Sequence, residues 1–401
     1  MLNRSFYLAL CVLLTASFPD VSYAEYQGYI GAQLRLFPRD AIDNNQADTV
    51  VSGVLAPEWY QSLNDGDDSF NIKLFYRHDD EDKERRHGDI REMYWQHVGA
   101  DWELTAGINQ IFWGVTESQH LVDIVNQTDQ VEAPDGEEKL GQPMIHLSLL
   151  RDWGTVDLML LPGFRDRTFP GDKGRLRSEP ITVEDAIYES GAAERHIDLA
   201  ARWSHYIDNW SFALSGFNGT SREPLLEPFQ RNNKIVLRPF YPQIRQFGAE
   251  LQYISGDWLW KAEGIHRDFS DNNLADDYSA ITAGFEYTYV SFMGRSWDLG
   301  VLAEYSADSR QFQDGVIYQN DFFVGFRLSF NDIASSEILF GTIQDLEHSD
   351  SATSFLEAST RLGNATRVSL DVYHFSAHAK NDPLYSLRRD TFVELNVDYH
   401  F

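Results

Sequence analysis

Three pairs of side chains in this 401-residue sequence could, by type and spacing, do acid–base chemistry. They are His146 with Ser148, His196 with Asp198, and His374 with Ser376. Hydrolysis would need a hydroxyl nucleophile, a histidine base and a carboxylate that orients it, all within hydrogen-bond reach. No strained Gly-x-Ser-x-Gly turn presents a serine. Residues two apart on a strand share a face whatever their role, so the pairs point away from an enzyme. Two acidic runs, Asp65-Gly66-Asp67-Asp68 and Asp79-Asp80-Glu81-Asp82, offer the oxygen ligands that calcium takes. Neither has the spacing of an EF-hand, and the second continues into Lys83, Glu84, Arg85 and Arg86, as a solvated loop does. No metal and no cofactor is expected.

The elements that must position such groups are strands. The last residues, "TFVELNVDYHF", alternate strictly: Val393, Leu395, Val397, Tyr399 and Phe401 against Glu394, Asn396, Asp398 and His400. The same period recurs in "WDLGVLAEY" at 297–305 and in the segments 247–253, 281–289 and 321–330. Eighteen strands (a range of 16–18) are expected near 27–37, 50–60, 70–77, 89–98, 101–110, 144–150, 153–161, 195–206 and 209–217. The second half supplies 243–254, 257–268, 279–291, 297–306, 319–330, 336–347, 352–362, 366–375 and 391–401. Tight turns such as 99–100, 151–152, 208–209 and 363–365 alternate with long polar connections such as 111–143, 162–194 and 218–242. That rhythm, with an even strand number, is the pattern of a transmembrane antiparallel β-barrel with short periplasmic turns and long extracellular loops. Closure also removes the edge that an aromatic strand ending at Phe401 would expose.

Composition agrees. Aromatic residues make up 14% of the chain, including 10 Trp and 19 Tyr, while mean hydropathy is negative, as it must be when apolar and polar faces cancel. No uncharged apolar run approaches the ~18 residues of a membrane helix. Trp102, Trp153, Trp210, Trp258, Trp260, Trp297, Tyr253 and Tyr289 sit at strand ends, where interfacial girdles form. Residues 1–24, with Arg4, an apolar stretch from Phe6 to Leu14 and Ser22-Tyr23-Ala24, read as a secretory signal peptide. The single cysteine, Cys11, falls inside it. The remainder, 25–401, reads as one barrel domain without thiol chemistry. A net charge of −29 argues against nucleic-acid binding and leans toward cations or neutral solutes.

If the apolar set faces lipid, the polar set lines the interior: Arg35, Arg77, Arg202, Glu250, Glu263, Arg267, Arg327, Arg361 and Arg367 among others. A barrel of this strand number is wide enough to hold an aqueous channel. The segment 107–132, "GINQIFWGVTESQHLVDIVNQTDQVE", is too apolar for a solvated loop. A long connection with its own apolar residues is packed and often functional. The reading is an inward fold of 111–143, with Trp113, Glu117, Asp123, Asn126 and Asp129 at a pore constriction and Glu132 beside them.

The same segment carries a resemblance. Gly107 to Gln110, Trp113-Gly114, Glu117-Ser118, Asp123, Val125-Asn126 and Asp129 resemble a motif of porin-like outer-membrane proteins catalogued as a domain of unknown function and similar to the alginate-export barrels. That pattern runs Gly-Arg-Gln, Trp-Gly-Glu-Ser, then Asp-x-Ile/Val-Asn-Pro-x-Asp. This chain departs at Asn109, with one extra residue, and at Gln127, where the family has proline. The resemblance implies an outer-membrane channel with no transported molecule assigned; the charged interior points to small polar solutes, and the leader to export through the Sec pathway of a bacterium. The barrel reading itself carries further expectations: lipid and lipopolysaccharide as surroundings, Phe401 as a signal to the barrel-assembly machinery, and a homo-trimer as an assembly to test. The alternatives are a closed or plugged surface-binding barrel and, further off, an outer-membrane hydrolase.

Overall fold

Strands with two such unlike faces bury one side each, and a ring of them leaves no unpaired edge. The computed structural model describes residues 23–132, 135–183, 185–271, 273–310 and 316–401. The expected leader therefore lies outside the described residues except for its last two positions. The wall begins with β1 (Tyr23–Leu36), β2 (Thr49–Leu63), β3 (Asp68–Asp79), β4 (Gly88–Val98) and β5 (Trp102–Asn109). β6 (Gln142–Arg151) and β7 (Gly154–Pro162) follow. The short β8 (Ile187–Tyr188) stands outside the wall, which resumes with β9 (Ile197–Ile207) and β10 (Trp210–Thr220). β11 (Leu225–Arg231) and β12 (Lys234–Tyr241) form a hairpin that β8 joins in parallel.

The remaining wall strands are β13 (Gln243–Ser255), β14 (Trp258–Phe269), β15 (Tyr278–Tyr289), β16 (Asp298–Asp308) and β17 (Asn320–Ser329). They are completed by β18 (Glu337–Asp345), β19 (Ala352–Leu362), β20 (Thr366–Ser376) and β21 (Phe392–His400). The eighteen wall strands pair antiparallel, and β1 bonds both to β2 and to β21, from Tyr29↔His400 to Leu36↔Val393. The ring is closed, as the alternation required. Phe401 donates its backbone N–H to Gly28 at 3.0 Å, which holds the last residue in register.

Outward positions such as Phe247, Leu251, Trp260, Ile281 and Phe326 are exposed, while their inward neighbours Gln246, Glu250, Lys261, Glu263 and Thr282 are buried. Aromatic rings stack on the outside near one end, Trp210 on Tyr253 at 4.2 Å and Trp258 on Trp260 at 5.4 Å. At that end the connections are short, as at 99–101, 152–153, 208–209 and 363–365. At the other end lie 110–141, 163–196 and 221–242, with 346–351 an unusually short member. The β8–β11–β12 sheet was not expected from the sequence, which reads there as polar loop. Its hairpin turn is Asn232-Asn233, both in the left-handed region at φ 51° and 63°, as a two-residue hairpin turn requires.

Candidate functional site

The chain leaves β5 at Asn109 and re-enters the wall at Gln142. Between them, Trp113, Val122, Ile124 and Val125 are buried against Met144 on β6, Leu161 on β7, Phe217 on β10, Ile244 on β13 and Ile265 on β14. Ile265 shares the inward face of Glu263 and Arg267. Side chains on so many inward faces can be met together only from inside the ring, so the described residues around Trp113 and Val122 to Val125 pack on the inner face of the wall. Val122 presses on β13 at Gly248, where an added Cβ would lie 3.0 Å from Val122 Cγ1.

Buried irregular backbone must find partners for its N–H groups, and two wall carboxylates supply them. Glu263 Oε1 accepts from Val115 N at 2.5 Å, Thr116 N at 2.9 Å and Thr116 Oγ1 at 2.7 Å, and Oε2 accepts from Val122 N at 3.3 Å. On β16, Glu304 accepts from Glu117 N and Ser118 N at 2.8 Å each and from Ser118 Oγ at 2.7 Å. Lys261 Nζ lies 3.4 Å from Glu304 and 3.9 Å from Glu117. The Glu117 carboxylate itself pairs with Arg327 at 2.6 Å, and Arg327 reaches Glu286 at 3.3 Å.

The far end of the segment is pinned across the ring. Glu132 pairs with Arg77 at 2.6 Å and with His87 at 2.8 Å, and Asp129 pairs with Arg91 at 2.6 Å. Arg35 pairs with Glu394 and also donates to the Glu132 carbonyl at 3.5 Å. Arg85 donates to the Val131 carbonyl at 2.9 Å. On the β20 side, Tyr373 Oη donates to Glu357 at 2.6 Å and lies 3.2 Å from Asp135. The loop thus bridges from β14, β16 and β17 to β1, β3, β4 and β20.

The sequence put Trp113, Glu117, Asp123, Asn126 and Asp129 at a pore constriction, with Glu117, Asp123, Asn126, Asp129 and Glu132 facing the pore. Glu117 keeps a partly exposed side chain, whereas Asp123, Asn126, Asp129 and Glu132 are turned into the protein. Trp113, Asn126 and Asp129 are buried. Asp123 sits 3.0 Å from Lys139 Nζ and accepts from Trp113 N at 3.4 Å. Asn126 accepts from Ile111 N and donates to the carbonyls of Asn109 and Leu140, each at 2.9 Å. The physical reason is backbone satisfaction: short polar side chains close the loop on itself. Burial raises the pKa of Asp123, with Lys139 opposing. Burial also acts to raise Glu132, but the Arg77 guanidinium, the His87 hydrogen bond and the Arg85 charge together outweigh it and hold that carboxyl well below the usual range.

The interior arginines are neutralised in place. Arg202 grips Glu250 with two bonds of 2.9 Å, and Arg267 reaches Glu223 at 2.8 Å. Arg35, Arg77, Glu250, Glu263 and Arg267 are buried. Arg361 and Arg367 do not join them. They face each other in register at the short-turn rim and are exposed there, with Arg367 3.7 Å from Glu337.

The acid–base pairs do not form nucleophile–base contacts. His146 and Ser148 both bond to Asp157, at 2.9 and 2.8 Å. His196 bonds to Asp198 at 2.7 Å, which Arg222 also holds at 2.5 Å. His374 bonds to Thr391 at 2.9 Å, and Ser376 donates to the Asp350 carbonyl at 2.9 Å. The acidic run is likewise occupied: Asp79 takes Ser52 at 2.7 Å and Arg85 at 2.9 Å, and Asp82 takes Gly171 N at 3.1 Å. His87, Asp129 and Glu132 bring three donor atoms within 4.8 Å of one another. The guanidiniums of Arg77 and Arg91 already balance those carboxylates, and a cation added beside them would be repelled.

Sequence reading also missed a strap over the long-loop mouth. Segment 163–183 leaves β7 and is latched at the loops after β1, β3 and β20. Arg175, with a side chain only 1% exposed, bonds Asp390 at 2.7 Å, Asp48 at 2.9 Å and the Arg389 carbonyl at 2.7 Å, and lies 4.4 Å over the Phe37 ring. The unusual arginine density at 165–177 was the available signal.

No family model and no curated protein matches the sequence. Among solved structures, Pseudomonas aeruginosa OccD3 (OpdP) is similar at TM-score 0.55 and 10% identity, over 95% of this chain and 92% of that one. A loop-deletion mutant of OmpT, an outer membrane protein of Vibrio cholerae, aligns at TM-score 0.48 and 9% identity, over 95% and 100%. A mutant of Rh. blastica porin aligns at 0.47 and 11%, over 94% and 100%. The OccD3 likeness is one of fold, a closed antiparallel β-barrel.

Proposed function

We propose that this chain is an outer-membrane channel for small polar solutes, narrowed by segment 110–141 and favouring cations and neutral molecules over anions. One observation carries the reading: on the short-turn side of the inward loop, charged interior side chains still meet solvent. Lys73 is 37% exposed and Arg327 32%, although both point into the ring. A mixed-charge, wetted interior is what a conducting barrel needs. The narrow passage runs past Glu117, Arg327 and Glu286, and the excess of acids over bases in the chain supports the cation preference. The motif at 107–129, which resembles porin-like barrels similar to the alginate exporters, supports a channel without naming its solute. Outer-membrane residence after Sec export, lipopolysaccharide contact, and assembly-machinery recognition of Phe401 belong to the same proposal, as does a trimer.

A plugged barrel is the second reading, favoured by the ion pairs and hydrogen bonds that tie the loop to opposite walls of the ring. Liposome swelling separates the two. Vesicles carrying the refolded protein should swell in sugars and amino acids at rates that fall with solute size. Vesicles that stay inert to every solute, with the barrel folded, would leave the plugged reading in its place.

A further inference from the structure

Where β17 and β18 reach the long-loop mouth, Asp321 and Asp345 pair directly across the two strands, and both point inward. The loop after β20 brings a third carboxylate, Asp382, whose charge acts on Asp321 together with those of Asp345 and Glu347. All three aspartates are buried, between 3% and 6% exposed. Among the described residues no arginine or lysine pairs with any of them, and the one ion pair of Asp345 is with the partly exposed His348 at 3.4 Å. Other interior acids have a guanidinium, as Glu250 has Arg202.

Backbone N–H groups take part of each carboxylate. Asn320 N bonds Asp321 at 3.1 Å, and Leu384 N bonds Asp382 at 2.8 Å. Glu347 N and His348 N bond Asp345 Oδ1 at 2.7 and 2.9 Å. Gln319, buried just before β17, donates its Nε2 to Asp345 Oδ2 at 3.0 Å. Its Oε1, on the same amide beside that carboxylate, is buried and receives no hydrogen bond among the described residues. A buried acceptor without a donor and buried like charges without a counter-ion are both costly. A hard cation held by oxygen relieves both.

We infer that Asp321, Asp345 and the Gln319 amide oxygen bind a calcium ion at the mouth, with Asp382 adding negative charge beside it. Asp382 is not a fourth ligand, because among the described residues only His87, Asp129 and Glu132 bring three acid or histidine donor atoms within 4.8 Å of one another. Calcium takes six to eight oxygens, from carboxylate, amide and water alike, in irregular geometry, whereas magnesium demands a near-ideal octahedron. Ligands drawn from two strands and the segment before them suit calcium. The ion ties that segment to the loop 346–351 and steadies 377–391, whose far end Arg175 holds through Asp390.

Calorimetric titration of the refolded full-length barrel in detergent, first stripped with a chelator, tests this with calcium chloride and magnesium chloride as probes. One calcium should bind with a dissociation constant of about 10⁻⁴–10⁻³ M, the range of extracellular sites, and magnesium about tenfold more weakly. The Asp321 side chain makes a single hydrogen bond, so Asp321→Asn should fold and should weaken calcium by about tenfold or more. Asp80→Asn, in the acidic run after β3, should leave calcium binding unchanged. Amide exchange gives a second readout: calcium should slow 346–351 and 379–384 in wild type and not in Asp321→Asn. No saturable calcium heat, equal affinity for the two ions, unchanged affinity or slowing in Asp321→Asn, or a loss of calcium binding in Asp80→Asn would each overturn the inference. Calorimetry reads occupancy whether or not the barrel conducts, so this result and the channel reading can fail separately.

Discussion

Removing Glu263 should free the inward loop. Its carboxylate is 1% exposed and takes three short bonds from Val115 N, Thr116 N and Thr116 Oγ1, with Val122 N a longer fourth. Hydrogen bonds to a charged acceptor contribute about 1.5 kcal/mol each at the low end, so the three short ones amount to ~4.5 kcal/mol. Water readmitted from the lumen recovers part of this, leaving ~3 kcal/mol lost in Glu263→Ala. That is about a hundredfold in the fraction of time the loop is open. Glu263→Gln keeps the shape and one acceptor, but sets an amide N–H₂ against Val122 N–H, and should cost about tenfold. Hydrogen–deuterium exchange of the refolded barrel reads both, with β13 and β14 amides as the internal reference. Faster exchange confined to 111–125 is expected. Unchanged protection at Val115, Thr116 and Val122 in Glu263→Ala, with the wall amides still protected, would refute the reasoning.

Three further outcomes follow from the same geometry. Arg175→Ala leaves the buried Asp390 carboxylate unpaired, which should loosen the strap by about 3–5 kcal/mol; limited proteolysis should then cut within 163–183 while the wall survives. Glu117→Gln removes the 2.6 Å partner of Arg327 and should lower cation-over-anion permeability by roughly twofold, measured from ion permeability ratios. Burial lowers the pKa of His120, but the Glu137 carboxylate 3.7 Å away, with the Glu263 and Asp123 charges, outweighs it and raises the group. A raised folded-state pKa stabilises fully below the ordinary histidine value of ~6.5 and is lost as pH rises through the raised value. Amides 117–123, corrected for intrinsic rates, should therefore open more at pH 8 than at pH 6, and His120→Gln should abolish the difference.

The wall was legible because a strand's two faces carry opposite information in every second residue, so even "TFVELNVDYHF" declares its orientation. The tight turns fixed strand number and closure. The site was legible only as a segment. The apolar run around Val122–Val125 signalled burial, but not which carboxylates would receive its backbone. Glu263 and Glu304 differ from other interior acids only in what reaches them from a distant loop. The directions of Asp123, Asn126 and Asp129 depended on satisfying irregular backbone, which has no period to read. An available clue was overlooked: Ile265, between the charged Glu263 and Arg267, marks where the loop touches the wall. The arginines at 361 and 367 shared the right face of their strands but lay too near the turn.

The most direct test of the channel is single-channel recording of the refolded protein in a planar bilayer under a potassium chloride gradient. Steady unitary steps with a reversal potential on the cation side are expected, reduced in Glu117→Gln. A heat-modifiable, folded barrel that inserts and never conducts would contradict the account.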